Sequence, residues 1–363
     1  MGDSTGSLSR AVGFSKFVSA ATECIHPSKL LPFSKPHSAA FVDLNGDCKA
    51  DLFFTSTDGS NKMHELWVFD TRTSDGNATY CLNYYQSVDS DSSQVSFTDY
   101  NRDGRIDMIY AVKNKIYFKK NLLSLPVVDG DDCAASSRTQ TIFAPAENYS
   151  DSLALSADFT DLYSSSLYPA TIRVGDFNVD GFPDLLITVK RKSDNAKTYL
   201  CESNEASFSF DGACTLVSDN AVLAAFFDFD EDGKVDILVV TPNGDKNTLN
   251  TYYQYYNRDS FFLKVMQLQK EDYGSVFYGA QFSYTYTDLE GSRHIGVGFQ
   301  APQNSHSALQ LPYGIVGIGR SSNYIEHLYV SYPVSVSPNY HVWSPIIPNS
   351  QIIIKSYMKN GNK

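Results

Sequence analysis

The stretch Asp228-Phe-Asp-Glu-Asp-Gly-Lys-Val-Asp236 carries acidic side chains at its first, third, fifth and ninth positions and glycine at its sixth. Three other segments align with it without gaps: Asp43-Leu-Asn-Gly-Asp-Cys-Lys-Ala-Asp51, Asp99-Tyr-Asn-Arg-Asp-Gly-Arg-Ile-Asp107 and Asp176-Phe-Asn-Val-Asp-Gly-Phe-Pro-Asp184. The shared rule is D-x-[DN]-x-D-[GC]-x-x-D. Oxygens at positions 1, 3 and 5 converge only if the backbone coils tightly, and glycine at position 6 supplies the turn. A hard cation then gathers them together with the ninth-position carboxylate. The candidate ligands are Asp43, Asn45, Asp47 and Asp51; Asp99, Asn101, Asp103 and Asp107; Asp176, Asn178, Asp180 and Asp184; and Asp228, Asp230, Asp232 and Asp236. Calcium is the expected ion, because such a flexible all-oxygen site suits it better than magnesium or zinc. The first loop is the weakest candidate, since Cys48 stands where the others have glycine.

Working outward, the flanks exclude an EF-hand. That motif needs Glu at position 12, where this chain has Phe54, Tyr110, Ile187 and Val239. Short aromatic and β-branched runs precede and follow each loop, which reads as strand, loop, strand. Further strands are expected at 65–69, 115–119, 198–201 and 251–255. The chain has 363 residues, 13% aromatic, with a net charge of −12. It is long enough to bury a large core, and the absence of a Lys/Arg-rich stretch excludes a nucleic-acid role.

Six cysteines, Cys24, Cys48, Cys81, Cys133, Cys201 and Cys214, form no C-x-x-C pair. With the sequons at Asn77 and Asn148, they point to an oxidising, secretory setting and to glycosylation at both asparagines. Cys201 and Cys214 flank a hairpin-like spacing and are expected to form a disulfide; the other four allow three pairings. Residues 1–31 contain no apolar run of signal-peptide length, and no stretch approaches a membrane span.

The repeating strand, acidic loop, strand unit resembles the FG-GAP repeat of integrin α-subunit propellers. A second likeness lies downstream, in Ala308-Leu-Gln-Leu-Pro-Tyr-Gly-Ile-Val-Gly-Ile-Gly-Arg-Ser-Ser-Asn-Tyr-Ile-Glu-His-Leu-Tyr-Val330, in Ile347-Pro-Asn-Ser-Gln351 and in Pro36-His37-Ser38. These resemble the T-cell immunomodulatory protein family, also called linkin. That resemblance implies an all-β ectodomain at the cell surface, a single membrane span after it, and further propeller sequence ahead of the part seen here. The expected organisation is a lead-in over 1–34, FG-GAP β-propeller blades over 35–265 (at least four, an incomplete ring) and a small antiparallel β-sandwich over 270–363. In the last part, Tyr278, Ala280, Phe282, Tyr284 and Tyr286 alternate with polar residues as one apolar strand face, and 324–332 reads as another strand.

No G-x-S-x-G, H-E-x-x-H or P-loop occurs, so no enzyme is expected. The resemblance implies an extracellular calcium-binding adhesion or immune-modulating module that engages a cell-surface or extracellular protein. The alternative is a carbohydrate-binding or carbohydrate-active propeller. An incomplete ring would leave an open edge, exposing apolar residues such as Phe41, Phe53 and Phe54 to self-association.

Overall fold

The apolar runs on either side of each acidic loop pair with one another as antiparallel strands. A computed structural model of the chain describes residues 18–19, 24, 30–72, 78–123, 140–143, 151–155, 159–165, 167–191, 196–203, 214–255, 260–269, 276–301, 310–332 and 340–355. Asn77, Asn148 and Cys133 lie outside these residues. The described residues are all-β.

Sheet one runs in order through β1 (Ala39–Val42), β2 (Asp51–Thr57), β3 (Lys62–Arg72) and β4 (Ala78–Val88). Sheet two repeats the plan with β5 (Ser96–Thr98), β6 (Asp107–Val112), β7 (Lys115–Lys119) and β8 (Asp151–Ala154). Sheet three adds β9 (Phe159–Leu162) to β10 (Ile172–Gly175), β11 (Asp184–Arg191), β12 (Lys197–Cys201) and β13 (Cys214–Ser218). Sheet four has β14 (Leu223–Phe227), β15 (Asp236–Asn243) and β16 (Lys246–Tyr252). Its third strand begins earlier than the expected 251–255, because the turn at Gly244 closes the hairpin directly onto Lys246.

The strand after each loop is apolar throughout because both of its faces are buried. Met108 and Tyr110 point toward sheet one and pack with Phe53 and Leu66. Their neighbours Ile109 and Ala111 point the other way and pack with Ile172, Leu185 and Ile187 of sheet three. Leu186 and Leu200 of sheet three then meet Phe226, Ile237 and Val239 of sheet four. Each interface is a separate core between successive sheets. The first strands stand side by side: Val95 N donates to Ser38 Oγ at 3.1 Å, Ser96 Oγ to the Ile172 carbonyl at 2.5 Å, and Gly175 lies against the Phe226 ring. Open antiparallel sheets stacked in this way fit the blades of a propeller.

Phe53 and Phe54 are 0% and 2% exposed, which corrects the expectation that they would be poorly covered. Phe33 packs edge-on against Phe54 at 5.2 Å, and Val18 and Leu30 pack on the same outer cluster. A Cys24–Cys81 disulfide ties this lead-in to β4. Exposed apolar side chains occur elsewhere, among them Leu249 of β16 at 63%, Leu167 at 72% and Ile347 at 66%.

His64 of β3 is fully buried between sheets one and two, edge-on to Phe53 and Tyr110. Burial, reinforced by the charges of Lys119 and Lys62, pushes its pKa down to about 3. Among the described residues neither ring nitrogen has a hydrogen-bond partner. The unfolded chain takes up this proton near the ordinary value, and the fold resists it until about pH 3. Stability contributed at neutral pH is therefore lost as pH falls through that window, by about 1.4 kcal/mol per pH unit. The His64→Leu protein should lose less stability than the parent between pH 6.5 and 4.5 in urea melts. Equal losses would contradict the assignment.

The remaining strands are β17 (Phe261–Leu268), β18 (Gln281–Asp288), β19 (Arg293–Phe299), β20 (Gly314–Gly319), β21 (Ser321–Ser331), β22 (Tyr340–Trp343) and β23 (Ser350–Lys355). They form two sheets, ordered β20-β17-β23 and β19-β18-β21-β22. Leu263, Val265, Ile318 and Ile354 of the first pack against Phe282, Tyr284, Leu328 and Val330 of the second. This is a β-sandwich. Tyr278, placed on the apolar face by its alternation, is instead 47% exposed, because it precedes β18 in a turn.

Candidate functional site: four acidic loops beneath the sandwich

Each loop is built by its own side chains. In the second loop the first-position carboxylate accepts from backbone amides four and five residues ahead: Asp99 Oδ1 from Asp103 N at 3.0 Å and Oδ2 from Gly104 N at 2.8 Å. Asp176 does the same with Asp180 N (3.1 Å) and Gly181 N (2.8 Å). The third position caps the fifth, as Asn178 Oδ1 accepts from Asp180 N at 3.0 Å. The fifth caps the seventh, as Asp180 Oδ1 accepts from Phe182 N at 2.8 Å. Such Asx turns wind the chain so that the oxygens share one centre.

Positions 4 and 6 both take the left-handed conformation in every loop. The φ values are 57° and 81° at Arg102 and Gly104, 60° and 92° at Val179 and Gly181, and 57° and 88° at Glu231 and Gly233. In the first loop they are 75° at Gly46 and 62° at Cys48. The glycine has changed places, so this loop also carries one strained non-glycine residue and is no more strained than the rest. Cys48 is disulfide-bonded.

The ninth-position Asp has a further role that spacing did not reveal. Asp184 Oδ2 accepts from Phe177 N at 2.8 Å, and its Oδ1 accepts from Ser203 N, just past β12, at 2.9 Å. Asp51 pairs likewise with Leu44 N and Phe69 N, Asp107 with Tyr100 N and Asn121 N, and Asp236 with Phe229 N and Gln254 N. It staples the loop to the third strand of its sheet. Asn121 and Gln254 then reach back to the previous loop, donating to the Leu44 and Phe177 carbonyls at 2.8 and 2.7 Å.

The electrostatics are unfavourable as they stand. Burial, then the neighbouring Asp47, pushes Asp43 up to about 8. Burial, then Asp103 or Asp180 respectively, pushes Asp99 and Asp176 up to about 7. Asp184 rises to about 8 through burial and Asp176. Carboxylates stripped of water and facing one another resist ionisation, and a divalent cation reverses both causes. In the fourth loop, carboxylate oxygens of Asp228, Asp230 and Asp236 all lie within 4.8 Å of one another. Asp228 Oδ1 is buried, with no hydrogen-bond partner among the described residues. These donors fit a hard cation.

The loops lie in four separate turns, and all four abut the sandwich. Ala50 sits against Gly279, and Gly104 against Ile295. Arg102 hydrogen-bonds Tyr286 Oη and stacks over Phe182 at 4.5 Å. Asp176 Oδ2 accepts from Gly317 N at 3.0 Å, and a Cβ at Gly317 would come within 2.0 Å of that oxygen. Gln351 Nε2 donates to the Glu231 carbonyl at 2.6 Å, and Lys264 Nζ lies 2.7 Å from Asp228 Oδ2. A cavity of about 150 Å³, with Arg102, Arg173, Tyr284 and Tyr313 in its lining, remains where sheets two to four meet the sandwich. Sequence reasoning missed Lys264, although a lysine inside the apolar run Phe-Phe-Leu-Lys-Val-Met is a visible signal. Cys201 and Cys214 face each other across β12 and β13 and are joined by a disulfide.

Stacked sheets opened by acidic loops and topped by a sandwich define a class of multi-sheet, all-β repeat proteins. Residues 272–363 match the family described as "ITFG1, C2 domain". The chain is 31% identical to a T-cell immunomodulatory protein homolog of Plasmodium falciparum over 97% of its own length and 57% of the relative's. It is 34% identical to the T-cell immunomodulatory protein of Macaca fascicularis, covering 53% of this chain and 71% of that one. Protein linkin of Caenorhabditis elegans is 26% identical over 88% of this chain and 55% of its own. The chain belongs to the T-cell immunomodulatory protein family. It spans little more than half the length of the Plasmodium and Caenorhabditis relatives. None of these names denotes an enzyme, and among the described residues no helix is long and apolar enough to cross a membrane.

Proposed function

We propose that the chain is an extracellular recognition module of the adhesion or immune-modulating type, engaging a cell-surface or extracellular protein. In this reading the four loops hold calcium, which stiffens a propeller-like stack and fixes the sandwich against it. The observation that carries the proposal is the placement of all four acidic loops at the junction of stack and sandwich, with buried carboxylates that repel one another and an unpartnered Asp228 Oδ1. Calcium supplies the charge that offsets this repulsion, and it suits flexible oxygen shells of six to eight ligands. The chain's residues do the rest. Positions 1, 3 and 5 present oxygens, position 9 holds the loop in register, Arg102 reaches from its loop to the sandwich, and Lys264 reaches from the sandwich to the fourth loop. Disulfides at Cys24–Cys81 and Cys201–Cys214 suit an oxidising compartment. The names of the relatives support the class of role, and no catalytic role is proposed.

The test is binding of the purified chain to intact cells in calcium and in chelator, alongside a variant combining Asp103→Ala, Asp180→Ala and Asp232→Ala. Binding should fall at least severalfold in chelator and in the variant. Equal binding under all three conditions would overturn the proposal.

A further inference from the structure

The fourth loop differs from the others in one respect: a cation is already built into it. Lys264, at the middle of β17, places Nζ 2.7 Å from Asp228 Oδ2, with the two side chains only 9% and 0% exposed. The same ammonium lies 4.3 Å from the centre of the Tyr313 ring, whose hydroxyl accepts from Asp228 N at 3.3 Å. The other oxygen, Oδ1, is the buried one with no partner among the described residues, and the Asp228 carboxylate belongs to the cluster with Asp230 and Asp236. One carboxylate therefore serves both sides: Oδ2 takes the Lys264 ammonium of the sandwich along with Gly233 N of its own loop at 3.2 Å, and the buried Oδ1 is left for a ligand.

We infer that Lys264 is an internal counter-ion that sets the metal affinity of the fourth loop, coupling its occupancy to docking of the sandwich through the shared Asp228 carboxylate. This rests on the proposal that the loops bind a divalent cation. The sign follows from charge. A metal on Oδ1 and an ammonium on Oδ2 repel each other across a buried carboxylate, where screening is weak. Each weakens the other's hold. Without metal, Lys264 neutralises Asp228 and keeps β17 against the loop. With metal, the carboxylate is shared and the clamp loosens. Loops one to three have no counterpart among the described residues. Lys49 and Arg105, and the half-exposed Lys120 beyond β7, contact fifth-position carboxylates and not the first, as Lys234 does in the fourth loop. Asp176 of the third loop also meets the sandwich, but through the neutral Gly317 amide, so the fourth loop is the one where a sandwich cation competes with the metal, and it fills last.

Tyr313 makes the inference measurable, because a tyrosine beside the loop sensitises terbium luminescence. The experiment titrates the full chain with terbium and, by calorimetry, with calcium. It compares the parent with Lys264→Met, Lys264→Arg and Asp230→Ala. Lys264→Gln, which keeps the stem and a donor, serves if the methionine variant does not fold. The Asp230→Ala protein identifies the fourth-loop signal by its loss. Removing the charge at Lys264 should tighten that one site roughly tenfold and leave the other sites unchanged, while Lys264→Arg should resemble the parent. Without metal, the Met or Gln variant should be cut faster by protease between the stack and the sandwich. An unchanged fourth-loop affinity in the Met or Gln variant, with metal bound at all loops, would overturn the inference and leave the metal reading standing. Absence of any terbium or calcium binding in the parent would overturn both.

Discussion

Chelation should lower the melting temperature of this protein by roughly 7 °C. An ion that binds only the folded state, at about ten times its dissociation constant, contributes about 1.4 kcal/mol per site. Four such loops sum to about 5–6 kcal/mol, and in a chain of 363 residues each kcal/mol moves the midpoint by about 1.3 °C. The burial of Asp43, Asp99, Asp176 and Asp184 makes the effect specific to divalent ions, since charge and not ionic strength is what these loops lack. The check is a pair of melts at neutral pH, one in millimolar calcium and one in excess chelator with matched ionic strength. Superimposable curves would remove calcium from the account of this fold.

Asp184→Ala should cost about 3–5 kcal/mol whether or not calcium is present. Its side chain accepts from Phe177 N, Asn178 N and Ser203 N and is fully buried. Truncation leaves these amides facing a carboxylate-sized void, at about 1–3 kcal/mol for each unsatisfied buried donor. Asp180→Ala is the control, since its carboxyl lies at the half-exposed tip of the same loop. That change removes the acceptor of Phe182 N, so it should cost about 1 kcal/mol in chelator and clearly more in calcium. Urea midpoints for both proteins, each with and without chelator, separate the staple from the ligand. A harmless Asp184→Ala in chelator would show that the ninth position serves the ion alone.

The four loops were legible because spacing is local: an Asx turn is closed by residues two to five apart, and each copy carries its own signal. The strands around them were legible for a different reason. Runs such as Leu185-Leu186-Ile187 are apolar at every position because sheets lie on both sides, so they stand out without alternation. What remained hidden depends on partners far away in sequence. Nothing near Asp51 announces Phe69 N, and nothing near Phe54 announces the ring of Phe33 that covers it. The exchange of glycine from position 6 to position 4 in the first loop was visible in the letters. Its meaning needed the φ values, which show that both positions are left-handed. Docking of the sandwich on the loops was wholly hidden, because Gly317, Tyr286 and Lys264 act through contacts that span whole domains.

The parallel pairing of β17 with β23 has a mechanical consequence. The chain enters the sandwich from the stacked sheets at Phe261 and leaves β23 at Lys355, and six residue pairs from Leu263↔Ser350 to Leu268↔Lys355 join the two strands. Because the strands point the same way, a pull between the stack and the chain beyond Lys355 drags them past each other along their length. The ladder is then loaded side-on, all rungs at once, and cannot peel open one rung at a time. A tether stretched through this module would meet its stiffest element where the path of tension crosses from β17 to β23, directly beside the loop that Lys264 and Asp228 share.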